Sequence, residues 1–180
     1  MVLILDVFKV IFERRSVRKF EKKDIDDKLI FEILKAGLWA PSAGNLQSWD
    51  VILIKNTEKK RIITKAAYMR DFIGEAPVII VLCANMHRSA TIYHERGQKL
   101  FCIQDAACAG QNILLAAHAM GLGACWVGAF DEELLIKNLK LPDYLRPVTI
   151  IPIGYPDENP LPPPRREIEE VINWEYFQGI

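Results

Sequence analysis

Three short stretches carry residue types and spacings that could do chemistry. The first is Arg14-Arg15-Ser16-Val17-Arg18. In an extended chain Arg14, Ser16 and Arg18 project to one side. Two guanidinium forks with a hydroxyl between them suit a phosphate, which takes bidentate donors and neutralising charge. Taken alone, such a string is more often a solvated basic face. The second stretch is Pro41-Ser42-Ala43-Gly44-Asn45-Leu46-Gln47-Ser48-Trp49. Its small residues permit close backbone approach, and Asn45 and Gln47 offer amide donors and acceptors, as a planar heterocycle would need. Taken alone it is an ordinary helix-to-strand loop. The third is Gly121-Leu122-Gly123-Ala124-Cys125-Trp126-Val127-Gly128, whose glycines either cap a helix or let a flat ring lie against backbone. Arg165 and Arg166 could add late charge to the phosphate, or form a basic pair on the surface. No G-x-G-x-x-G follows a strand and no G-K-[ST] is present, which argues against a Rossmann site and a P-loop.

These stretches need a scaffold, and composition bounds it. The chain has 180 residues, 51% apolar, with 23 Lys+Arg against 23 Asp+Glu. That is the profile of one globular domain able to bury its own core. Zero net charge and a pI near 6.8 argue against a nucleic-acid-coating protein, so any anion site must be local. Cys83, Cys102, Cys108 and Cys125 lack C-x-x-C spacing and lie in apolar surroundings, as expected of buried thiols in a reducing cytosol. Cys83 and His87 stand four apart, but the other ligands a zinc site requires are missing, so no metal is expected. The segment 106–130 carries no formal charge and is long enough to cross a bilayer. Its Gln111, Asn112 and His118, and the break at Gly121-Leu122-Gly123, favour a core helix followed by a buried strand. Residues 1–5 are too short for a secretion signal. A cytoplasmic protein with no membrane partner is expected.

Periodicity orders the elements. Asp6 can cap a helix carrying Val7, Phe8, Val10 and Ile11. Asp26 or Asp27 starts a second, with Leu29, Ile30, Ile33, Leu34, Gly37 and Leu38 on one face, ended by Pro41. A strand over 49–54, a helix over 57–70 and a strand over 78–84 follow; the last is apolar throughout, as a strand buried on both faces would be. Residues 85–97 read as polar and irregular. A long helix over 98–120, C-capped by Gly121, leads to a short strand at 124–127. Asp131 caps a helix to about 139, and 148–154 is the last core strand. Five prolines between Pro156 and Pro164 then mark an arm that must lie on another surface, ending in a short helix over 165–174. Residues 1–155 form the core and 156–180 an arm of the same domain.

Taken in order, the motifs resemble the nitroreductase family of FMN-dependent oxidoreductases. The carriers are R-R-S-V-R-K-F, A-P-S-A-G-N-L-Q-S-W, the stretch from Asp105 to Asn112 with G-L-G-A-C-W-V-G-A-F-D after it, and P-I-G-Y-P at 152–156. The likeness runs from about Ile11 to Val171, and the joint pattern is specific where no single motif is.

The resemblance implies an α+β fold: a mixed central sheet flanked by helices, in a homodimer with FMN at the interface and the C-terminal extension over the partner subunit. It implies that Arg14, Ser16 and Arg18, with Arg15 close by, hold the FMN phosphate, ribityl chain and the N1/O2 edge of the ring. Pro41, Ser42, Ala43, Asn45 and Gln47 would line the isoalloxazine from the other subunit. Val127 and Gly128 would run beside it with a backbone N–H near N5, and Arg166, with Arg165, would reach the phosphate. Hydride would pass from NADH or NADPH through flavin N5 to a nitroaromatic, quinone or similar small acceptor, in ping-pong fashion. The cofactor does the redox chemistry, so no catalytic side chain is implied. Relatives with specialised flavin chemistry, dehalogenation or flavin fragmentation, and a flavin-binding protein without turnover are the alternatives. The chain is short for the family, and residues 85–97, with His87, Tyr93 and His94, leave room for only a small substrate lid.

Overall fold

The computed structural model describes residues 7–177. The expected Asp6 cap lies outside them. Among the described residues, seven helices, α1 (Val7–Glu13), α2 (Asp27–Leu38), α3 (Thr57–Ala66), α4 (Phe72–Glu75), α5 (Met86–Arg96), α6 (Cys102–Ala119) and α7 (Glu132–Leu139), surround four strands, β1 (Trp49–Ile54), β2 (Val78–Asn85), β3 (Gly123–Ala124) and β4 (Leu145–Gly154). The strand order is β1-β2-β4-β3.

β2 explains the layering. Every residue in it is buried. Val78, Ile80, Leu82 and Ala84 face α2 and α6, with Ile33, Ala109 and Ile113 among their neighbours. Ile79, Val81 and Cys83 face α3 and α7, with Ile63 and Leu135. The period-2 alternation of a strand therefore feeds two cores, one on each side of the sheet. Burial of each large side chain such as Ile79, Ile80 or Leu82 contributes about 1.5–3 kcal/mol. Local chemistry agrees with the packing. Asp26 caps α2 by accepting the Lys28 N–H, Asn56 caps α3 at Lys59, and Asp131 caps α7 at Leu134.

Several expectations are corrected. All the ladders between named strands are antiparallel, and the sheet is mixed only through an isolated parallel bridge between Ser16 and Ala124. The strand expected at 124–127 pairs only at Gly123–Ala124, then touches β4 again at Val127 opposite Ile150. The helix over 57–70 ends at Ala66, because Tyr68 and Met69 take positive φ values of 56° and 58°. Residues 85–97 are not irregular. They form α5, capped by Asn85 on the Arg88 N–H. The chain turns sharply at His94 (φ 46°, ψ −132°), and Gly97 packs backbone to backbone against Ser89, which a straight helix forbids. A π-helical turn at Gly97–Phe101 then leads into α6. Polar composition misled here because α5 is an exposed helix with little apolar face. The helix expected at 165–174 is one 3-10 turn, Ile168–Glu170, and its residues are exposed.

The stretch Met86–Ala119 is long and apolar enough to cross a membrane by composition. In the fold, Cys102, Ala106, Ala109, Ile113, Leu114 and Ala117 of α6 are buried in the core that it shares with α2 and the sheet.

Candidate functional site

Residues 14–18 leave α1 in extended form and run beside β3. The Val17 N–H donates to the Ala124 carbonyl at 3.0 Å. Val17 is buried while Ser16 is half-buried and Arg18 exposed, so the alternation turns the polar side chains outward. This seat depends on Gly123, where a Cβ would stand 2.7 Å from the Val17 Cβ. Phe20 bridges Pro156, which brings the start of the proline-rich arm alongside.

The result is a hollow of about 270 Å³ lined by Arg14, Arg15, Ser16 and Arg18 on one side and Pro160, Leu161, Pro163 and Arg165 on the other. Four arginines from two distant parts of the chain thus line one hollow, with the Arg15 guanidinium donating to the Phe12 and Arg14 carbonyls at 2.6 and 2.9 Å. Burial lowers the pKa of Arg14 below its usual value, and repulsion from Arg15 and Arg165 lowers it further. An arginine remains charged under such conditions, so the crowding is a standing electrostatic cost that an anion would relieve. Cys125 lies beneath. Burial pushes its thiol up, opposed by Arg18, a hydrogen bond with Ser16, Arg14 and Arg70. Arg166 behaves differently. It pairs with Glu170 at 3.0 Å and donates to the Glu170 carbonyl. In this chain Arg165 enters the basic hollow and Arg166 does not.

The loop 41–47 is elsewhere and lines no part of that hollow. It is held from α6: the Ala43 N–H donates to Asp105 Oδ1 at 2.9 Å. Gly44, Asn45 and Gln47 all have positive φ, 57°, 56° and 48°. Two of these are not glycine, a conformation that costs energy and clusters at functional loops. The strain is held by Ser42, whose hydroxyl accepts the Gln47 N–H at 3.0 Å, and by Gln47 Nε2 donating to the Asn45 carbonyl at 2.7 Å. From α5, Arg88 donates to the Gln47 carbonyl at 3.3 Å, and Tyr93 packs over Gly44.

Val127 and Gly128 occupy a third place. The Val127 N–H is already given to the Ile150 carbonyl at 2.9 Å. Gly128 is exposed and lines a second hollow with Ile103, Phe130 and the Glu132–Arg146 ion pair. Of the two amides, only that of Gly128 is free for a ligand among the described residues.

Sequence reasoning missed three participants. Asp105 is an acidic residue inside an apolar helix, which was the available signal for it. Arg70 has no sequence signal, because only the fold carries it to Cys125. Glu158 accepts the backbone N–H groups of Arg18 and Lys19, a contact no spacing announces.

Comparison with known proteins places this arrangement. The model of the Nitroreductase family matches residues 11–70 and 64–155. The chain belongs to the nitroreductase family. A Methanothermobacter thermautotrophicus protein, whose name pairs NADH dehydrogenase with NAD(P)H nitroreductase, is 35% identical over 87% of this chain and 80% of its own length. A Thermus thermophilus protein named NADH dehydrogenase is 30% identical over 95% of this chain and 97% of its own. Among solved structures, the NADPH:FMN oxidoreductase of Vibrio harveyi in complex with NAD+ superposes with a TM-score of 0.89, at 28% identity, covering 97% of this chain and 79% of that one. The α+β nitroreductase fold is therefore that of this chain, and the convergent basic hollow is a feature of this member's own residues.

Proposed function

We propose that this nitroreductase-family member is an FMN-dependent NAD(P)H oxidoreductase acting on a nitroaromatic, quinone or similar small acceptor. The observation that carries the reading is the convergence of Arg14, Arg15, Arg18 and Arg165 with Ser16 on one hollow. Arginines gathered on one hollow, with Arg14 repelled by Arg15 and Arg165, fit the FMN phosphate, and the Ser16 hydroxyl fits the polyol chain beside it. When bound, FMN would supply the hydride chemistry between NADH or NADPH and the acceptor.

The protein's own contribution is binding, orientation and tuning. Arg14, Arg15 and Arg165 neutralise the phosphate. Arg18, exposed beside them, would serve the N1/O2 edge, where a fixed positive charge favours the reduced ring. Of Val127 and Gly128, the Gly128 N–H is the one available as a donor to the N5 edge.

Pro41, Ser42, Ala43, Asn45 and Gln47 line no part of the hollow in their own chain. We infer that they serve the site of a second copy, in a homodimer. Supporting this, Trp39 next to the loop is 87% exposed, and Phe31 and Leu38 on α2 are also exposed, a concentration unusual for a lone subunit. The strain held at Asn45 and Gln47 then preorganises amide groups against the ring. One face of the ring would serve NAD(P)H and acceptor in turn, which is a ping-pong scheme. The four free cysteines fit a cytoplasmic setting.

The deciding experiment is an absorbance spectrum of the purified protein supplied with FMN, before and after anaerobic NADH and NADPH. Flavin bands that bleach on reduction and return with a quinone or nitroaromatic support the assignment. Protein that binds no FMN overturns it, together with the roles of the arginines.

A further inference from the structure

We propose that Glu158 is a positioning residue that fixes the proline-rich arm so that Arg165 reaches the basic hollow. The proposal rests on the reading of that hollow as the FMN phosphate site.

The arm leaves β4 along residues 18–21. The Glu21 N–H donates to the Tyr155 carbonyl at 2.9 Å, and the Asp157 N–H to the Lys19 carbonyl at 3.0 Å. The Glu158 carboxylate then closes on two successive backbone amides, those of Arg18 and Lys19, the latter at 3.1 Å. A carboxylate on a pair of N–H groups is a charge-assisted contact, stronger than the neutral bonds before it. Past this point the anchoring stops. Among the described residues, no hydrogen bond ties 159–165 to the core; Arg165 itself donates only to the adjacent Pro164 carbonyl. Prolines 160, 162, 163 and 164 have no N–H to give, but their fixed φ makes the segment a semi-rigid spacer. Such a spacer transmits the placement of its fixed end to its far end. Glu158 is that fixed end, and Arg165 is what it delivers. The same carboxylate also holds the Arg18 backbone, so one side chain sets the distance between the two walls of the hollow.

The neighbouring Lys19–Asp157 ion pair joins two flexible exposed side chains and is worth little, whereas Glu158 closes on backbone N–H groups.

The test is a titration of FMN into the deflavinated full-length protein, read by flavin fluorescence, for wild type, Glu158→Ala, Glu158→Gln, Arg165→Ala and the double variant Glu158→Ala/Arg165→Ala. Loss of a charged hydrogen-bond acceptor predicts a Kd about tenfold higher for Glu158→Ala. Glu158→Gln, which keeps an acceptor oxygen, falls between it and wild type. The decisive outcome is non-additivity: if Glu158 acts through Arg165, Glu158→Ala costs less affinity in the Arg165→Ala background than in wild type. Wild-type affinity in Glu158→Ala, or losses that add in the double variant, overturns the proposal. Failure of the underlying reading looks different: wild type itself does not bind FMN, or Arg14→Ala binds as well as wild type.

Discussion

Asp105 and Ala43 are joined across 62 positions of sequence by one hydrogen bond of 2.9 Å, from the Ala43 amide to Asp105 Oδ1. Asp105 is 4% exposed, and its other oxygen is buried with no hydrogen-bond partner among the described residues. A carboxylate kept in that state holds α6 to the strained loop that carries Asn45 and Gln47. Asp105→Ala leaves the Ala43 N–H without an acceptor and costs about 1–3 kcal/mol, read as a lower urea midpoint. Asp105→Asn retains an acceptor and costs less. Equal midpoints for wild type and Asp105→Ala would remove the loop-holding role.

Gly123 and Val17 are packed too closely for any larger residue at 123. Both contacting atoms are fixed to the backbone, so Gly123→Ala must displace residues 14–18. The variant is expected to lose FMN affinity by more than about tenfold, the scale of an overpacking cost of 1–3 kcal/mol. Val17→Ala in the same background opens no room at the Cβ itself, whereas Val17→Gly does. Recovery of binding is therefore expected with Val17→Gly only. An unperturbed Kd in Gly123→Ala would sink this account of the seat.

Arg165 and Arg166 are adjacent but face different partners. Arg165→Ala is expected to weaken FMN binding about tenfold and to reduce its salt dependence, as loss of one phosphate contact should. Arg166→Ala removes an exposed pair with Glu170 and should leave Kd unchanged. The reverse pattern in a titration series would reassign the phosphate arginine.

Cys83 gives a pH prediction. It is fully buried in β2, and burial first, then the nearby Asp50, pushes its thiol from 9.0 to about 12. The folded chain therefore holds this proton more tightly than the unfolded chain. The associated stability is fully present below pH 9 and is lost as pH rises from 9 toward 12. The slope is about 1.4 kcal/mol per pH unit from this one group. Urea midpoints measured between pH 8.5 and 10.5 should fall less steeply for Cys83→Ala than for wild type. Parallel curves would show that this thiol does not titrate in the unfolding transition.

Much of the scaffold was legible in the residues themselves. β1 was expected over 49–54 and is found there, because Trp49 and Ile54 bracket an apolar stretch between a polar loop and the Asn56 cap. β2 is apolar on both faces because two cores need it, and the run from Val78 to Ala84 supplies both. The caps at Asp26, expected there or at Asp27, and at Asp131 are local contacts within a few residues, so the sequence by itself goes far toward determining them. The resemblance carried by the ordered motifs was likewise readable, and family membership follows it.

Only the tertiary structure decided the rest. That Arg165 rather than Arg166 faces Arg14 depends on where a proline spacer ends, and a spacer's direction is set by its anchor at Glu158 rather than by its own residues. That the Val127 amide is occupied follows from Ile150, which lies in another strand. The helix at residues 86–96 hid behind a polar composition because its stability comes from Asn85 and from packing on the 97–101 turn, not from an apolar stripe. Asp105 could be seen as an oddity in its helix, but its partner could not. Hydrogen bonds and charge contacts between distant segments leave no periodicity in either segment, and the site is built from such contacts.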